Sequence, residues 1–231
     1  MKPYYEHGGI RIFHGDCRDV LPLAVHAVIT DPPYGISDAP FTGGSRGGKR
    51  VGGDNVWHLP SAWDKAIDPE WGRLVSQSAP LIAWFGHWRK RTEVERSMLY
   101  PIRAEVVWAK NCHMGPPCPV AMRDERIWLF SRDGINGHGF ETSVWDEPII
   151  PTWKHKEHKN EKPLRLMKRL LAFLCGSGGM VILDPFMGSG TTLLAAKALG
   201  HSAIGVEIEE RFCEIAAKRL EQEVLPLEQV G

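Results

Sequence analysis

Asp31-Pro32-Pro33-Tyr34 directly follows the apolar run from Ala27 to Thr30 and combines groups that could hold a planar amine. The two prolines fix φ and lack N–H donors, so the Pro32 carbonyl is left free to accept a hydrogen bond. Asp31 supplies a carboxylate acceptor, and Tyr34 supplies a flat aromatic face beside it. The tetrapeptide predicts a pocket that accepts both protons of an NH₂ group while the attached ring stacks. A plain proline turn is the alternative interpretation.

Such a pocket would overcome the weak nucleophilicity of an exocyclic amino group on a nucleobase, whose lone pair is delocalised into the ring. Hydrogen bonds to a carboxylate and a carbonyl favour a pyramidal nitrogen with a localised lone pair, which can attack an activated methyl group in line. Asp31 would also stabilise the positive charge that develops on the nitrogen. A base inside a duplex must be extruded to reach the pocket, at a cost of a few kcal/mol that stacking on Tyr34 partly offsets.

A glycine turn lies far along the chain, where the apolar Met180 to Leu183 leads into the segment Asp184 to Thr192, DPFMGSGTT. A strand, a tight glycine turn and a helix N-terminus form the arrangement by which α/β folds bind an adenosine-bearing cofactor. Gly188 and Gly190 let backbone amides approach a ligand without an intervening Cβ atom. The segment therefore predicts a cofactor loop, and a turn that only connects a strand to a helix is the alternative interpretation.

This turn differs from the two common phosphate-binding loops. A P-loop requires Lys after its second glycine, where this chain has Thr191, and the third glycine of a dinucleotide-binding GxGxxG is missing. Glu207 ends the next apolar run, at roughly the 20-residue separation that suits an acceptor for ribose hydroxyls. The loop and the acid together favour a cofactor that carries a nucleoside.

The elements that must position these residues alternate between short β-rich runs and helical patterns, which is typical of an α/β domain with a largely parallel sheet. Strands are predicted at Ile10–Phe13, Ala27–Thr30, Leu81–Phe85, Glu105–Trp108, Arg126–Phe130, Met180–Leu183 and Ser202–Glu207. Helices are predicted at Pro69–Gln77, Trp88–Met98, Pro163–Cys175, Thr191–Leu199 and Glu210–Leu220.

The composition is that of one globular domain, with 231 residues of which 43% are apolar, 24% charged and 9% aromatic. The 28 Lys and Arg residues balance the 28 Asp and Glu residues, which excludes a uniformly basic nucleic-acid coat and an acidic disordered tail. No apolar stretch reaches the roughly 18 residues of a bilayer span, and the first residues lack a secretory signal. The five cysteines lack framework spacing, which fits reduced thiols. We therefore predict a cytoplasmic protein without a membrane partner.

Two irregular stretches interrupt the α/β pattern. From Phe41 to Asn55 glycines alternate with basic residues, which indicates a mobile basic loop, because no packed strand or helix would tolerate this composition. A second stretch, from Arg132 to Lys159, ends in a basic cluster. Basic segments of this kind suit contacts with nucleic-acid phosphates, and an ordinary solvated surface is the alternative. The candidate nucleic-acid contacts are Arg46, Lys49, Arg50, Lys154 and Lys156.

The tetrapeptide at 31–34 and the glycine turn at 184–192 together resemble the motifs of S-adenosylmethionine-dependent DNA amino-methyltransferases of the β group. In that group the catalytic tetrapeptide precedes the cofactor loop, as it does here. The resemblance covers most of the chain and implies a Rossmann-like methyltransferase fold of the α/β class. That fold has a mostly parallel sheet, helices on both faces and a circularly permuted motif order. Enzymes that methylate protein glutamine or RNA amino groups place the tetrapeptide after the cofactor loop and fit less well.

The resemblance also implies the activity, which is transfer of a methyl group from S-adenosylmethionine to an exocyclic amino group in DNA, with S-adenosylhomocysteine as the product. Asp rather than Ser at position 31 favours adenine N6 as the target, and cytosine N4 is the alternative. The resemblance points to a bacterial or phage-encoded enzyme of restriction and modification and is compatible with a homodimer. From other classes, a non-catalytic DNA-binding protein with this fold and a dinucleotide-dependent oxidoreductase stay open.

Further roles follow from the resemblance. Asp16 matches an early acid beside the cofactor adenine, and Glu207 matches the ribose-binding acid. Lys162 belongs to a Lys-Pro stretch that closes over the methionine part, and Phe186 is expected against the cofactor. The implied catalytic residues are Asp31, Pro32, Pro33 and Tyr34. The implied cofactor-binding residues are Asp16, Lys162, Asp184, Pro185, Phe186, Gly188, Gly190, Thr191 and Glu207.

Target recognition is the part in which the chain departs from the family. The family usually places it between the last sheet segment and the Lys-Pro stretch, where only the short segment Arg132 to Glu157 is available. We therefore expect one methyltransferase catalytic domain over residues 1–231, with 132–157 as a candidate target-recognition segment. The basic loop at 41–55 or a second subunit would share in DNA recognition.

Two cysteine-containing patterns in the sequence fit other chemistry poorly. Gly115-Pro116-Pro117-Cys118 is similar to the nucleophile loop of cytosine-C5 methyltransferases, but Pro119 stands where those enzymes have Gln, and the tetrapeptide at 31–34 would have no task. Cys112, His113 and Cys118 lack a fourth zinc ligand at convincing spacing. We predict ordinary thiols and no metal site.

Overall fold

Apolar runs of the chain form a nine-stranded sheet in a computed structural model that describes residues 1–34, 67–110, 123–149 and 161–222. The strands are β1 (Tyr5–His7), β2 (Ile10–His14), β3 (Ala27–Thr30), β4 (Leu81–Gly86), β5 (Ile102–Ala109), β6 (Asp124–Ser131), β7 (Val144–Asp146), β8 (Val181–Asp184) and β9 (Ser202–Glu207). The helices are α1 (Pro69–Ser78), α2 (Arg91–Ser97), α3 (Leu164–Cys175), α4 (Thr191–Ala198) and α5 (Glu210–Glu221).

The order of the strands in the sheet is β1-β2-β9-β8-β3-β4-β6-β5-β7. Strands β2, β9, β8, β3 and β4 are parallel, whereas β6 runs antiparallel to both β4 and β5. The prediction of a mostly parallel α/β sheet is therefore confirmed, with an antiparallel part toward the β7 edge. Strands β3 and β8 are direct neighbours, although Thr30 and Asp184 at their ends are 154 positions apart.

Alternating side chains of the central strands divide the core into two layers, one on each face of the sheet. Ile29 and Phe85 pack with apolar residues of α3, α4 and α5 on one face. Val28 and Trp84 pack with residues of α1 and α2 on the other. Because every second strand residue points to the same face, these runs are buried on both sides, as expected for a parallel sheet between helices. The predicted placement of helices on both faces is confirmed.

The predicted elements agree closely with the structure, and the differences have local causes. The helix predicted from Trp88 begins as a 3₁₀ turn, Trp88–Lys90, before α2. Strand β5 starts three positions earlier than predicted, since an irregular register between Ile102 and Ala104 breaks its alternating pattern. Strands β1 and β7 were not predicted, because each has three residues and leaves most of its side chains exposed or half-buried.

Several predictions fall outside the described residues. These are the basic loop at 41–55 with Arg46, Lys49 and Arg50, the cluster with Lys154 and Lys156, and the cysteine-containing stretch around Cys112, His113 and Cys118. Only 132–149 of the candidate target-recognition segment is described. Within the described ranges, no helix has the length and apolarity that crossing a bilayer requires. The described residues also contain no group of His, Cys, Asp or Glu suited to a metal ion.

Candidate active site

A cavity of about 450 Å³ lies at the carboxyl edge of β3, β8 and β9. Because these strands are parallel and adjacent, the residues that follow them meet at one edge of the sheet, where α/β proteins bind ligands. The sequence-predicted residues that line the cavity are Asp16, Asp31, Pro32, Pro33, Tyr34, Lys162, Asp184, Pro185, Phe186, Gly188, Thr191 and Glu207.

Among the predicted catalytic and cofactor-binding residues, all of which lie in the described ranges, Gly190 alone does not line this cavity. Its φ of 81° lies in the left-handed region, and a Cβ atom there would come within 2.8 Å of the Ala216 Cβ on α5. Gly190 therefore lets the turn pass close to α5 and start α4. Its contribution to the site is through the path of the backbone.

Both carboxylate oxygens of Asp31 have protein partners. Oδ1 lies 2.5 Å from the Tyr34 hydroxyl, and Oδ2 lies 2.6 Å from the Lys162 ammonium. Lys162 directly precedes Pro163 and α3, and its Nζ also lies 5.1 Å from the centre of the Phe85 ring. The Lys162 charge is thus brought to the tetrapeptide end of the cavity, where its ammonium pairs with the carboxylate of Asp31.

A second carboxylate, Glu125 of β6, belongs to the same cluster. Its Oε1 lies 2.5 Å from the Tyr34 hydroxyl and 2.7 Å from Lys162 Nζ, and its Oε2 lies 2.5 Å from Lys110 Nζ. Lys110 follows β5, and its backbone N–H bonds to the Arg123 carbonyl just before β6. Sequence reasoning missed Glu125 and Lys110 as site residues. An acid at the head of an apolar strand was the available signal, but only the β5–β6 pairing brings it to Lys110.

The charges of this cluster fix which groups are ionised. Burial raises the pKa of the Asp31 carboxyl, while the Lys162 cation acts in the opposite direction. Burial would also raise the pKa of Glu125, but Lys162 and Lys110 outweigh it and lower that pKa to about 2. Burial and the two carboxylates hold the pKa of Tyr34 well above its ordinary value. Tyr34 therefore stays a phenol, with one proton to donate to one carboxylate at a time.

The glycine turn is held in place by Asp184 at the end of β8. This buried carboxylate accepts hydrogen bonds from the Thr30 hydroxyl at 3.0 Å, the Thr192 hydroxyl at 2.5 Å and the Phe186 N–H at 3.1 Å. Burial raises the pKa of Asp184 to about 7, against the lowering effect of these bonds. Asp184 thus ties β3, the turn and α4 together directly beneath the cavity.

Glu207 and two aromatic side chains form the other end of the cavity. The Glu207 carboxylate accepts hydrogen bonds from the N–H groups of Gly188 at 3.0 Å and Glu209 at 2.8 Å. Two oxygens offer about four acceptor positions, so capacity is left for a ligand hydroxyl. The Phe186 ring meets the Trp71 ring edge to face at 4.8 Å between centres, which gives the cavity a firm apolar wall.

Asp16 lines the same end of the cavity, where Arg18 orients it. Its carboxylate caps the 3₁₀ turn Cys17–Asp19 by accepting from the Arg18 N–H at 2.9 Å, and Arg18 Nη2 lies 2.6 Å from its other oxygen. These hydrogen bonds lower the pKa of Asp16. The side chain is therefore an anionic acceptor at the rim.

Arg219 of α5 connects the glycine turn to the segment that carries Lys162. Its guanidinium donates to the Ser189 carbonyl at 2.7 Å and to the Glu161 carboxylate at 2.7 Å. Glu161 is the residue before Lys162, and its side chain is 8% exposed. The half-buried ion pair of Arg219 and Glu161 thus connects the glycine turn to the segment that carries Lys162.

The arrangement defines an α/β enzyme site for two ligands: one end suits a nucleoside-bearing cofactor and the other a planar amine. A family model described as DNA methylase (N6_N4_Mtase) matches residues 72–218, more than half of the chain. The chain belongs to this DNA methylase family. The matched range contains the glycine turn, Glu125 and Lys162, and begins after the tetrapeptide at 31–34.

Individual relatives extend this likeness to nearly the whole chain. The Type II methyltransferase M.ScaI of Streptomyces caespitosus is 25% identical, over 98% of this chain and 86% of its own length. The crystal structure of an M1.HpyAVI–SAM complex matches with a TM-score of 0.65 at 24% identity, over 91% of this chain and 99% of that one. PvuII DNA methyltransferase, described as cytosine-N4-specific, matches with a TM-score of 0.70 at 14% identity, over 97% and 90% of the two chains. The two structures show that the fold is that of a DNA methyltransferase.

Proposed function

We propose that this protein methylates the exocyclic N6 amino group of adenine in DNA, with S-adenosylmethionine as the methyl donor. The observation that carries the proposal is the meeting of the tetrapeptide at 31–34 and the turn at 184–188 in one cavity. The turn follows β8 and the tetrapeptide follows β3, its direct neighbour in the sheet. A nucleophile held at one end therefore faces a donor held at the other.

The cavity residues fit S-adenosylmethionine. Its volume of about 450 Å³ lies in the usual range for small-molecule sites. Glu207 would accept hydrogen bonds from ribose hydroxyls, Phe186 and Trp71 would give an apolar wall, and Asp16 would accept from the adenine end. When bound, S-adenosylmethionine supplies an activated methyl group and leaves as S-adenosylhomocysteine.

The tetrapeptide would act on the target base. Asp31 and the Pro32 carbonyl accept hydrogen bonds from the two amino N–H groups, which localises the nitrogen lone pair toward the methyl group. Tyr34 stacks on the extruded ring, which partly offsets the cost of removing the base from the duplex. The negative charge of Asp31 stabilises the positive charge that develops on the nitrogen. No covalent bond to the protein forms, and the methylated nitrogen loses one of its two protons to water, which gives a neutral secondary amine.

Adenine is favoured over cytosine because Asp rather than Ser stands at position 31. Methylation of cytosine N4 is the alternative, since both amines would present the same two protons to Asp31 and Pro32. A dinucleotide-dependent oxidoreductase fits poorly, because the turn has two glycines and no third at the GxGxxG spacing.

DNA contacts extend the proposal to residues outside the described ranges. Arg46, Lys49 and Arg50 of the basic loop, with Lys154 and Lys156, would bind backbone phosphates, and 132–157 would contribute to target recognition. One catalytic domain would then comprise residues 1–231. A homodimer would supply further recognition surface to so short a segment.

A labelled-methyl transfer assay tests the proposed activity. The protein is incubated with unmethylated DNA of mixed sequence and S-adenosylmethionine labelled in the methyl group, and the DNA is then digested to nucleosides. We expect label in N6-methyl-2′-deoxyadenosine. Label in N4-methyl-2′-deoxycytidine would overturn the choice of adenine, whereas absence of label from DNA would overturn the enzyme assignment and favour a non-catalytic DNA-binding protein.

A further inference from the structure

A target amine must compete for Asp31, because each oxygen of this carboxylate already contacts a neighbouring side chain. Tyr34 occupies Oδ1 at 2.5 Å and Lys162 occupies Oδ2 at 2.6 Å. An amino group that uses Asp31, as the proposed function requires, competes with these neighbours, and the full charge of Asp31 becomes available to it only when Lys162 moves away. Leaving a buried ammonium or hydroxyl without an acceptor would cost about 1 to 3 kcal/mol or more.

Glu125 offers both displaced donors an acceptor that they already contact. Its Oε1 lies 2.5 Å from the Tyr34 hydroxyl and 2.7 Å from Lys162 Nζ. Either donor can therefore release Asp31 and keep Glu125 with little movement. We propose that Glu125 is a positioning residue, which holds Tyr34 and Lys162 when the target amino group takes their place on Asp31. This inference rests on the proposed function and adds a residue to it.

The surroundings of Glu125 suit it to this role. Its side chain is 7% exposed, and Lys110 binds its other oxygen at 2.5 Å, so Lys110 stays with Glu125 while Lys162 exchanges. Lys110 is itself held over the Trp108 ring, 5.0 Å from its centre. The positive charges of Lys110 and Lys162 balance the negative charges of Asp31 and Glu125 whether or not Lys162 remains on Asp31. Asp31 then turns its full charge toward the amino nitrogen when Lys162 leaves it.

Substitution of Glu125 by Gln tests the exchange, because the amide keeps the shape of the side chain and removes its charge. Lys162 would then remain on Asp31 and compete with the target amine. We expect E125Q to lower kcat/KM for unmethylated DNA at least tenfold, with its Kd for S-adenosylhomocysteine, measured by calorimetry, within twofold of the wild-type value. The matched control is E105Q on β5, whose carboxylate pairs with Arg91 and Arg126 outside the cavity. E105Q should leave both quantities unchanged.

A titration of the protein without ligands separates this role from a purely structural one. The carbon-13 NMR signal of the Asp31 carboxyl group is followed as pH changes. It is assigned as the signal that is missing from the spectrum of D31N. E125Q should lower the pH midpoint of the Asp31 titration, because a neighbouring negative charge is lost. K162M should raise that midpoint, because the paired cation is lost. E125D keeps the charge and should stay close to wild type. Among the described residues, the titratable groups around Asp31 are Tyr34, Lys162, Glu125 with its partner Lys110, Asp184, and His87, which interacts electrostatically with Glu125.

K162M and E125Q should also differ in how their methyl-transfer rates depend on pH. K162M should regain activity as pH rises and Asp31 ionises, whereas E125Q should stay slow at every pH because Lys162 remains on Asp31. An Asp31 midpoint that does not move in E125Q, or a kcat/KM of E125Q equal to that of E105Q, would overturn the inference. Absence of transfer by the wild-type protein would instead overturn the proposed function, and the NMR titration would still decide whether Glu125 and Lys162 control Asp31.

Discussion

Asp31 and Glu207 line one cavity and have separate proposed roles, which single substitutions should distinguish. D31A removes the acceptor of the amino protons but touches nothing at the Glu207 end. We expect D31A to abolish methyl transfer, with a loss of at least a thousandfold, and to keep its affinity for S-adenosylhomocysteine. E207A should first weaken cofactor binding, by roughly tenfold or more, because the ribose acceptor and the N–H partner of Gly188 are lost.

Calorimetric titration with S-adenosylhomocysteine and single-turnover transfer at saturating cofactor distinguish these effects. If both variants lost only affinity for DNA and transferred normally once bound, the assigned roles would be wrong. Glu209 provides a control for E207A, because it lies on the same rim and its carboxylate pairs with the exposed Arg211. E209Q should bind the cofactor as tightly as the wild-type protein.

Asp184 makes stability depend on pH in the opposite sense to an ordinary ion-paired acid. Burial raises its pKa in the folded protein to about 7, from an unfolded value near 3.8. The folded state therefore binds more protons between these values, so the Asp184 contribution to stability falls as pH rises from about 4 to about 7. D184N stays neutral, so its free energy of unfolding should rise relative to that of the wild-type protein by up to about 4 kcal/mol over this pH range.

Urea unfolding of both proteins at pH 4.5 and pH 8 measures this difference. Other titrating groups contribute equally to both proteins at a given pH. The comparison therefore uses only how the difference in free energy of unfolding between D184N and wild type changes with pH. A gap between D184N and wild type that is the same at both pH values would show that Asp184 titrates normally.

At the scale of elements, the glycine turn between β8 and α4 depends on its close approach to α5. Gly190 has a φ of 81°, and a Cβ atom would come within 2.8 Å of the Ala216 Cβ. G190A should therefore add overpacking to backbone strain. Gly134 has a φ of 97° with no atom within 4 Å of a Cβ position, so G134A adds strain alone.

We expect G190A to lower the free energy of unfolding by about 1 to 3 kcal/mol more than G134A does. Denaturant unfolding of the two variants measures the difference. S-adenosylhomocysteine binding should also weaken in G190A, because the turn must shift away from α5. Equal destabilisation by the two substitutions would mean that the contact with Ala216 is unimportant.

The antiparallel part of the sheet, β4-β6-β5, is as important for the site as the parallel part. Gly86 of β4 pairs with Arg126, which places the start of β6 beside the carboxyl ends of the central strands. Glu125 therefore comes to the cavity edge in a strand that runs opposite to β3. The antiparallel segment thus supplies the second carboxylate that a purely parallel sheet would leave out.

At the scale of the whole molecule, a net charge of zero requires DNA binding to come from local basic segments. Joint replacement of Arg46, Lys49 and Arg50 by Ala should weaken DNA binding and lower the salt slope by about 2 to 3, since each phosphate contact contributes roughly 0.9. Fluorescence anisotropy with duplex DNA from 50 to 200 mM salt measures the slope.

A control variant removes the same charge from exposed positions on or near the β1–β2 edge of the sheet and on α5, namely Lys2, Arg11 and Lys218. This triple variant should keep the wild-type slope, because none of the three residues belongs to the segments proposed to contact DNA. If the basic-loop variant bound DNA with unchanged salt dependence, those three residues would not contact phosphate.

The sequence by itself determined the two motifs, the α/β class and most of the elements. Strands such as β3 and β9 were predicted with their observed bounds, because they are continuous apolar runs that end at turn residues. Roles could be proposed for residues 31–34 and 184–192 because each motif is contiguous in sequence. These roles and the DNA contacts stay predictions.

Only the tertiary structure decided how the two motifs share one cavity and which residues join them. Glu125 and Lys110 are brought together by strand pairing, and Lys162 reaches Asp31 from 131 positions away in sequence (162 − 31). The exchange proposed for Glu125 depends on distances between side chains of β3, β6 and the start of α3. No local pattern encodes such distances, because they are set by the order and register of strands in the sheet.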